Sequence, residues 1–180
     1  MPIIDPLRAG GKNVCAFLDM TRISEIGSAL LAKSDNGYNV LVGSTPEKPL
    51  LFTSYADHPN VFNKTCDSDA AGGYQIMHKW WPAYKAQLKL PDFCPLSQDL
   101  YAIQQIRESR ALAPLIAGDI ETAISLCAHI WASFTGAGYQ QHENSLDFLR
   151  AAYVQAGGVV GAPGASCTSS SGYTNVPEYP

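Results

Sequence analysis

The stretch Asn13-Val14-Cys15-Ala16-Phe17-Leu18-Asp19-Met20-Thr21-Arg22-Ile23-Ser24-Glu25 decides how the chain is read. Val14, Leu18 and Thr21 recur at helical spacing, and at about 100° per residue Glu25 falls on the same stripe. A row that otherwise faces a core therefore ends on a carboxylate. At the end of a helix, beside a second layer of structure, burial would disfavour the charged form and raise the pKa of that carboxylate. A general acid that must keep its proton near neutral pH needs such a shift. Taken alone, a glutamate at a helix end is equally a solvated surface residue, so the rest of the chain has to decide.

Downstream, Asp35-Asn36-Gly37 is a turn signal. Residues 38–44 (YNVLVGS) and 50–55 (LLFTSY) read as two short strands joined by a loop, hence a small antiparallel sheet. After Ala71-Gly72-Gly73, the residues Tyr74, Met77 and Trp81 share a helical face; Pro82 starts a new turn or kinks the helix, which resumes over 83–88. Three more helices are expected over 98–110 with Ser97 as cap, over 120–134 after Asp119, and over 144–156 before Gly157-Gly158. The order of helix, hairpin and then helices indicates an α+β fold, mostly helical. Residues 1–12 read as an N-terminal extension and 13–160 as one domain. Residues 161–180, rich in Gly, Pro, Ser and Thr without apolar period, read as a flexible C-terminal tail.

With 180 residues and 46% apolar composition the chain can bury one sizeable core. Its charge of −4, without a Lys/Arg cluster, argues against nucleic acid as a partner. The five cysteines are odd in number and contain no CxxC pair, so free, mostly buried thiols are expected. His58, His78, His129 and His142 form no HExxH or other close ligand pair; neither a metal nor another cofactor is expected. The start MPIIDPLRAGGKN lacks the basic and apolar regions of a secretory signal, so synthesis in the cytoplasm is expected. No apolar run reaches the roughly 18 residues of a membrane span, so no stable membrane insertion is expected either.

Further motifs recur in a fixed order: Gly37-Tyr38-Asn39-Val40-Leu41-Val42-Gly43, then residues 51–59 (LFTSYADHP), Ala71-Gly72-Gly73-Tyr74-Gln75 and Trp80-Trp81. After them come Phe93, Pro95, Ser97-Gln98-Asp99, Gln104-Gln105-Ile106, Gly118-Asp119-Ile120, Ile130-Trp131-Ala132-Ser133, Gly136-Ala137-Gly138-Tyr139 and Gln155-Ala156-Gly157-Gly158. In this order, over residues 14–158, the chain resembles the phage lambda endolysin family.

That resemblance implies a lysozyme-like fold, with a glycan lying in a cleft between a small sheet lobe and a helical lobe. It makes Glu25 the counterpart of the family's single catalytic acid. The substrate implied is the peptidoglycan glycan strand, and the reaction a lytic transglycosylation that leaves 1,6-anhydromuramoyl ends and lyses the host cell. Release into the periplasm through a holin lesion, and action as a monomer, are the accompanying expectations.

The chain departs from the family at two places. Asn39 stands where relatives have Asp, and Ile26-Gly27-Ser28 replaces a Gly-Thr that directly follows the acid, which leaves Ser28 to supply the sugar-contacting hydroxyl. Tyr74 and Gln75, after a glycine pair, would let a glycan approach the backbone and pack on an aromatic ring, unless Tyr74 merely begins a core stripe. Tyr139, in the small-residue loop GAGYQ, is a further sugar-binding candidate, unless its hydroxyl only anchors the loop. Two alternatives stay open: a hydrolytic muramidase with Asp35 or Asp57 as second carboxylate, and a glycan-binding relative without turnover.

Overall fold

A computed structural model of the chain describes residues 2–138 and 143–161. Tyr139, His142, Cys167 and nearly all of the stretch read as a tail lie outside the described residues. The helices are α1 (Pro6–Ala9), α2 (Lys12–Ile26), α3 (Ser28–Leu31), α4 (Trp81–Gln87), α5 (Pro95–Glu108), α6 (Leu112–Ala117), α7 (Ile120–Cys127) and α8 (Leu146–Gln155).

Helix α2 is the axis of the core. Its residues from Val14 to Arg22 are all buried, and α1, α3, α5, α6 and α8 pack around it. A helix enclosed on so many sides is apolar over most of its circumference rather than along one stripe. Phe17 meets Trp131 and Phe134 edge-on, with ring centroids 6.3 and 5.8 Å away. The helix ends at Gly27, whose φ of 82° also starts α3.

Several sequence expectations need correction. Residues 1–12 do not stand apart from the domain: Ile4 is buried, and α1 packs on α2. Helix α5 begins at Pro95, whose missing N–H costs nothing in a first turn, with Cys94 rather than Ser97 at the cap. Helix α7 is capped by Asp119 as expected, but it stops at Cys127 instead of running to 134. Residues 74–80 are not helical. The chain turns back so that Ala71 pairs with Ile76, Gln75 takes a φ of 47°, and Pro82 then opens α4.

The expected small sheet is also absent as a regular sheet among the described residues. Antiparallel pairing exists only as isolated bridges, including Val40 with Leu51 and Leu41 with Ala71. Gly37 and Gly43, with φ of 89° and 81°, break the extended conformation on either side of this short run.

Side chains from α5 do what a ladder would otherwise do. The buried Gln98 amide accepts from Gly73 N at 2.9 Å and donates to the carbonyls of Tyr38 and Phe93 at 3.0 and 2.9 Å. Gly72, at φ 80°, must lack a side chain, because a Cβ there would lie 2.2 Å from Gln98 Oε1. Next to it, buried Asp99 accepts from Ile3 N and Ile4 N at 2.8 and 2.9 Å, and from the Tyr38 and Tyr74 hydroxyls at 2.7 and 2.6 Å.

Replacing Asp99 with Ala would leave these donors facing an apolar gap. We expect Asp99→Ala to lose about 3–5 kcal/mol of stability in urea denaturation at an unchanged slope. A loss below about 1 kcal/mol would show that water replaces the carboxylate.

Candidate active site

The end of α2 opens onto a cleft of about 1070 Å³. It is lined by Ser24 and Glu25, by residues 129–133, by the turns around 40–44, 66–70 and 74–80, and by Tyr101 and Gln105 of α5. The side at 129–133 follows from the early end of α7. Ile130 N bonds to Cys127 O and Phe134 N to Trp131 O, at 2.9 and 3.0 Å, so the chain runs in successive tight turns. Trp131 and Phe134 drop into the core against Phe17, and Ser133, between them, is left at the cleft.

There the Ser133 hydroxyl donates to Glu25 Oε1 at 2.6 Å, and the Ser133 amide reaches the same oxygen at 3.4 Å. Ser24 Oγ lies 2.6 Å from Ser133 Oγ, and Asn144 Nδ2 donates to Ser24 Oγ at 3.0 Å. A chain of hydrogen bonds thus runs from α8's approach to the carboxyl group. Both bonds to Glu25 fall on Oε1, and Glu25 itself lines the cleft. Burial pushes the Glu25 pKa up, and the two Ser133 bonds oppose it without cancelling it. Glu25 is half-buried and lines the cleft, and its carboxyl can stay protonated above the usual carboxylate range.

The Endolysin family model matches residues 15–160. The chain belongs to the endolysin family. It is 47% identical over 167 residues to the endolysin of Escherichia phage P2, covering 88% of this chain and 99% of that one. It is also 47% identical over 149 residues to the endolysin of Escherichia phage lambda, covering 81% and 91%. Among solved structures, bacteriophage lambda lysozyme complexed with a chitohexasaccharide superposes with a TM-score of 0.75 at 43% identity, over 89% of this chain and 99% of that one. A second lambda lysozyme structure gives 0.70 at 42%, with the same coverage. The fold of this endolysin is therefore lysozyme-like, and its work is that of a phage enzyme of peptidoglycan degradation and host lysis.

Of the residues singled out in the sequence, the endolysin brings Glu25, Tyr74 and Gln75 to the cleft wall. Tyr74 is 2% exposed, with its hydroxyl on Asp99, so it offers no ring face to a sugar; it is a core residue touching the wall. The glycine pair before it admits Gln98 and Arg22 side chains, not a glycan. Gln75 Nε2 is turned back to Gly72 O at 3.0 Å.

Ser28 and Asn39 do not line the cleft. Ser28 is exposed in the first turn of α3, and Asn39 holds its own loop, accepting from Asp35 N at 2.9 Å and donating to Phe52 O at 3.4 Å. Asp35 and Asp57 lie off the wall as well. The first accepts from Tyr55 OH at 2.6 Å, and the second from Trp81 Nε1 at 2.5 Å while pairing with Lys85 at 3.1 Å.

Sequence reasoning did not single out Ser133, Ser24, Asn144 or Asp67, the other carboxylate on the described wall. Ser133 stood inside the quoted Ile-Trp-Ala-Ser motif, and a polar residue between two core aromatics was the available signal. Among the described residues no group of His, Cys, Asp or Glu is arranged to hold a metal. Cys15 and Cys127 are buried thiols, Cys94 is half-buried, and Cys66 is exposed on the cleft wall.

Because the Ser133 hydroxyl holds the Glu25 pKa down more than the Ser133 amide does, removing the hydroxyl raises that pKa further. We expect Ser133→Ala to move the alkaline limb of the pH–activity profile to higher pH, since the acid then keeps its proton longer. The rate at the optimum should fall about 10- to 100-fold as the carboxyl loses its fixed orientation. An unmoved limb would show that Glu25 does not set it.

Proposed function

We propose that this endolysin is a lytic transglycosylase that cleaves the β-1,4 bond between N-acetylmuramic acid and N-acetylglucosamine, with Glu25 as acid and then base. The observation that carries this reading is the Glu25 carboxyl itself: pushed up in pKa by burial, held at Oε1 by Ser133, and part of the cleft lining. Lambda lysozyme, similar over most of the chain, was solved with a chitohexasaccharide, a β-1,4-linked N-acetylhexosamine chain, and this supports a glycan as occupant of the cleft.

In this reading protonated Glu25 gives its proton to the bridging oxygen as the C1–O bond breaks. The muramoyl 6-hydroxyl oxygen then bonds to C1, and its proton passes to the Glu25 carboxylate, which restores the acid. An internal hydroxyl has a high effective concentration and needs no second carboxylate to position water. The positions of Asp35 and Asp57 away from the wall favour this route over a hydrolytic one built on either of them. A hydrolytic muramidase would have to recruit Asp67 instead. Among the described residues no helix is long and apolar enough to cross a membrane, and we take passage to the wall through a holin lesion as part of the proposal.

Glu25→Gln keeps the size of the side chain and its bond from Ser133, but it removes the transferable proton. We expect it to fold as the parent does and to lose at least about 1000-fold of its activity against outer-membrane-stripped cells in a turbidity assay, while Asp67→Asn keeps lysing them. Lysis by Glu25→Gln would move the acid elsewhere, and loss of lysis in Asp67→Asn would favour the hydrolytic route.

A further inference from the structure

The two adjacent tryptophans at the start of α4 are used in opposite ways. Trp81 is 1% exposed, packs edge-on against Phe93 with centroids 4.8 Å apart, and bonds through Nε1 to Asp57. It fixes the backbone on which Trp80 stands. Trp80 is 54% exposed and lines the cleft that Glu25 opens onto. A large aromatic surface left open to solvent in a concave site is costly unless something covers it in use. The C–H face of an N-acetylhexosamine ring is a suitable cover, since a flat indole packs against it.

Trp80 does not stand alone. The exposed Lys79 side chain places Nζ 5.1 Å from the centroid of the Trp80 ring, and among the described lining residues Lys79 is the one lysine or arginine. The acidic side chains of that described lining are Glu25, which carries the proton in the acid role, and Asp67, within a chain of net charge −4. Ammonium and indole face attract each other, so the cation is held over one face of the ring, and a sugar would pack on the other.

A murein strand has an uncharged sugar backbone, and its negative charge lies on the carboxylates of the peptide stems carried by the muramoyl units. A cation beside a sugar platform thus has nothing to attract on the backbone and a charge to attract on the stem. We propose that Trp80 and Lys79 form a composite subsite, in which Trp80 carries a sugar ring of the strand and Lys79 selects strands whose peptide stems are anionic.

This inference rests on the glycan-cleaving reading and adds to it the charged substituent that the cleft prefers. Its test compares intact murein with the same murein after its peptide carboxylates have been converted to amides, which removes charge and keeps sugars and peptide length. We expect the parent protein to cleave untreated murein about 3-fold more efficiently than amidated murein, the size of effect an exposed ion pair supplies, and to lose that preference at high salt.

In Lys79→Gln the ratio should fall to about one, whereas Trp80→Ala should lower efficiency on both preparations by about 10-fold and weaken binding of a neutral chitooligosaccharide. A parent protein without preference, or a Lys79→Gln variant that keeps it, would overturn the role of Lys79. Unchanged chitooligosaccharide binding in Trp80→Ala would overturn the platform. Failure to cleave either preparation would overturn the glycan-cleaving reading instead. The subsite is then still read from co-sedimentation of Glu25→Gln protein with the two preparations, where equal binding would overturn it.

Discussion

The buried pair Gln98-Asp99 on α5 is the constraint on which the cleft depends. Between them the two side chains hold the backbone at Ile3, Ile4, Tyr38, Gly73 and Phe93, and the hydroxyls of Tyr38 and Tyr74. The segments tied in this way are the N-terminus, the stretch before α5, and the turns at Tyr38 and Gly73 that lead into the cleft lining. A regular sheet would satisfy such groups through backbone ladders, but here a helix does it through side chains, and buried polar groups must be satisfied somehow. Burial pushes the Asp99 pKa up, while the hydroxyls of Tyr74 and Tyr38 and the backbone oppose it. The carboxyl group therefore depends on its donors as much as they depend on it.

This arrangement explains which parts of the fold could be read from the sequence. Helix α2 was legible because its apolar period is uninterrupted from Val14 to Thr21 and Gly27 ends it. Helix α7 was legible at its start, where Asp119 caps the first turn, and α8 to within two residues, the expected start at 144 giving way to Leu146 behind a Ser145 cap. The pairing between residues 38–44 and 50–55 was legible as two apolar runs joined by a loop, but its extent was not, because the interruption comes from glycine conformations and from partners far away in sequence. In the turn at residues 71–76, the part from Tyr74 on was read as helix for the same reason: Gln98 holds Gly73 from far away in sequence, and nothing local announces it. At 128–134, Trp131 and Phe134 continue an apolar spacing of three that tight turns satisfy as well as a helix does.

The candidate site was legible in its chemistry and much less in its surroundings. Glu25 stood out because a carboxylate closed a core stripe. Its partner Ser133 did not, since a serine inside an apolar run carries no distinctive pattern until the turn that exposes it is known. Asn39 and Ser28 drew attention through their departure from relatives, yet Asn39 works as a loop brace and Ser28 is exposed off the cleft wall. A difference between relatives marks where chains diverge, and the fold decides whether the position faces a ligand.

We propose that a single half-buried acid, Glu25, breaks the glycan with the sugar's own 6-hydroxyl as nucleophile. Digestion of murein in ¹⁸O-enriched water followed by mass spectrometry tests it most directly. The account predicts new muramoyl ends that carry no ¹⁸O, are lighter than hydrolytic ends by one water, and resist borohydride because the 1,6-anhydro ring is closed. Ends that carry ¹⁸O and are reduced by borohydride would contradict it, because water would then be the nucleophile.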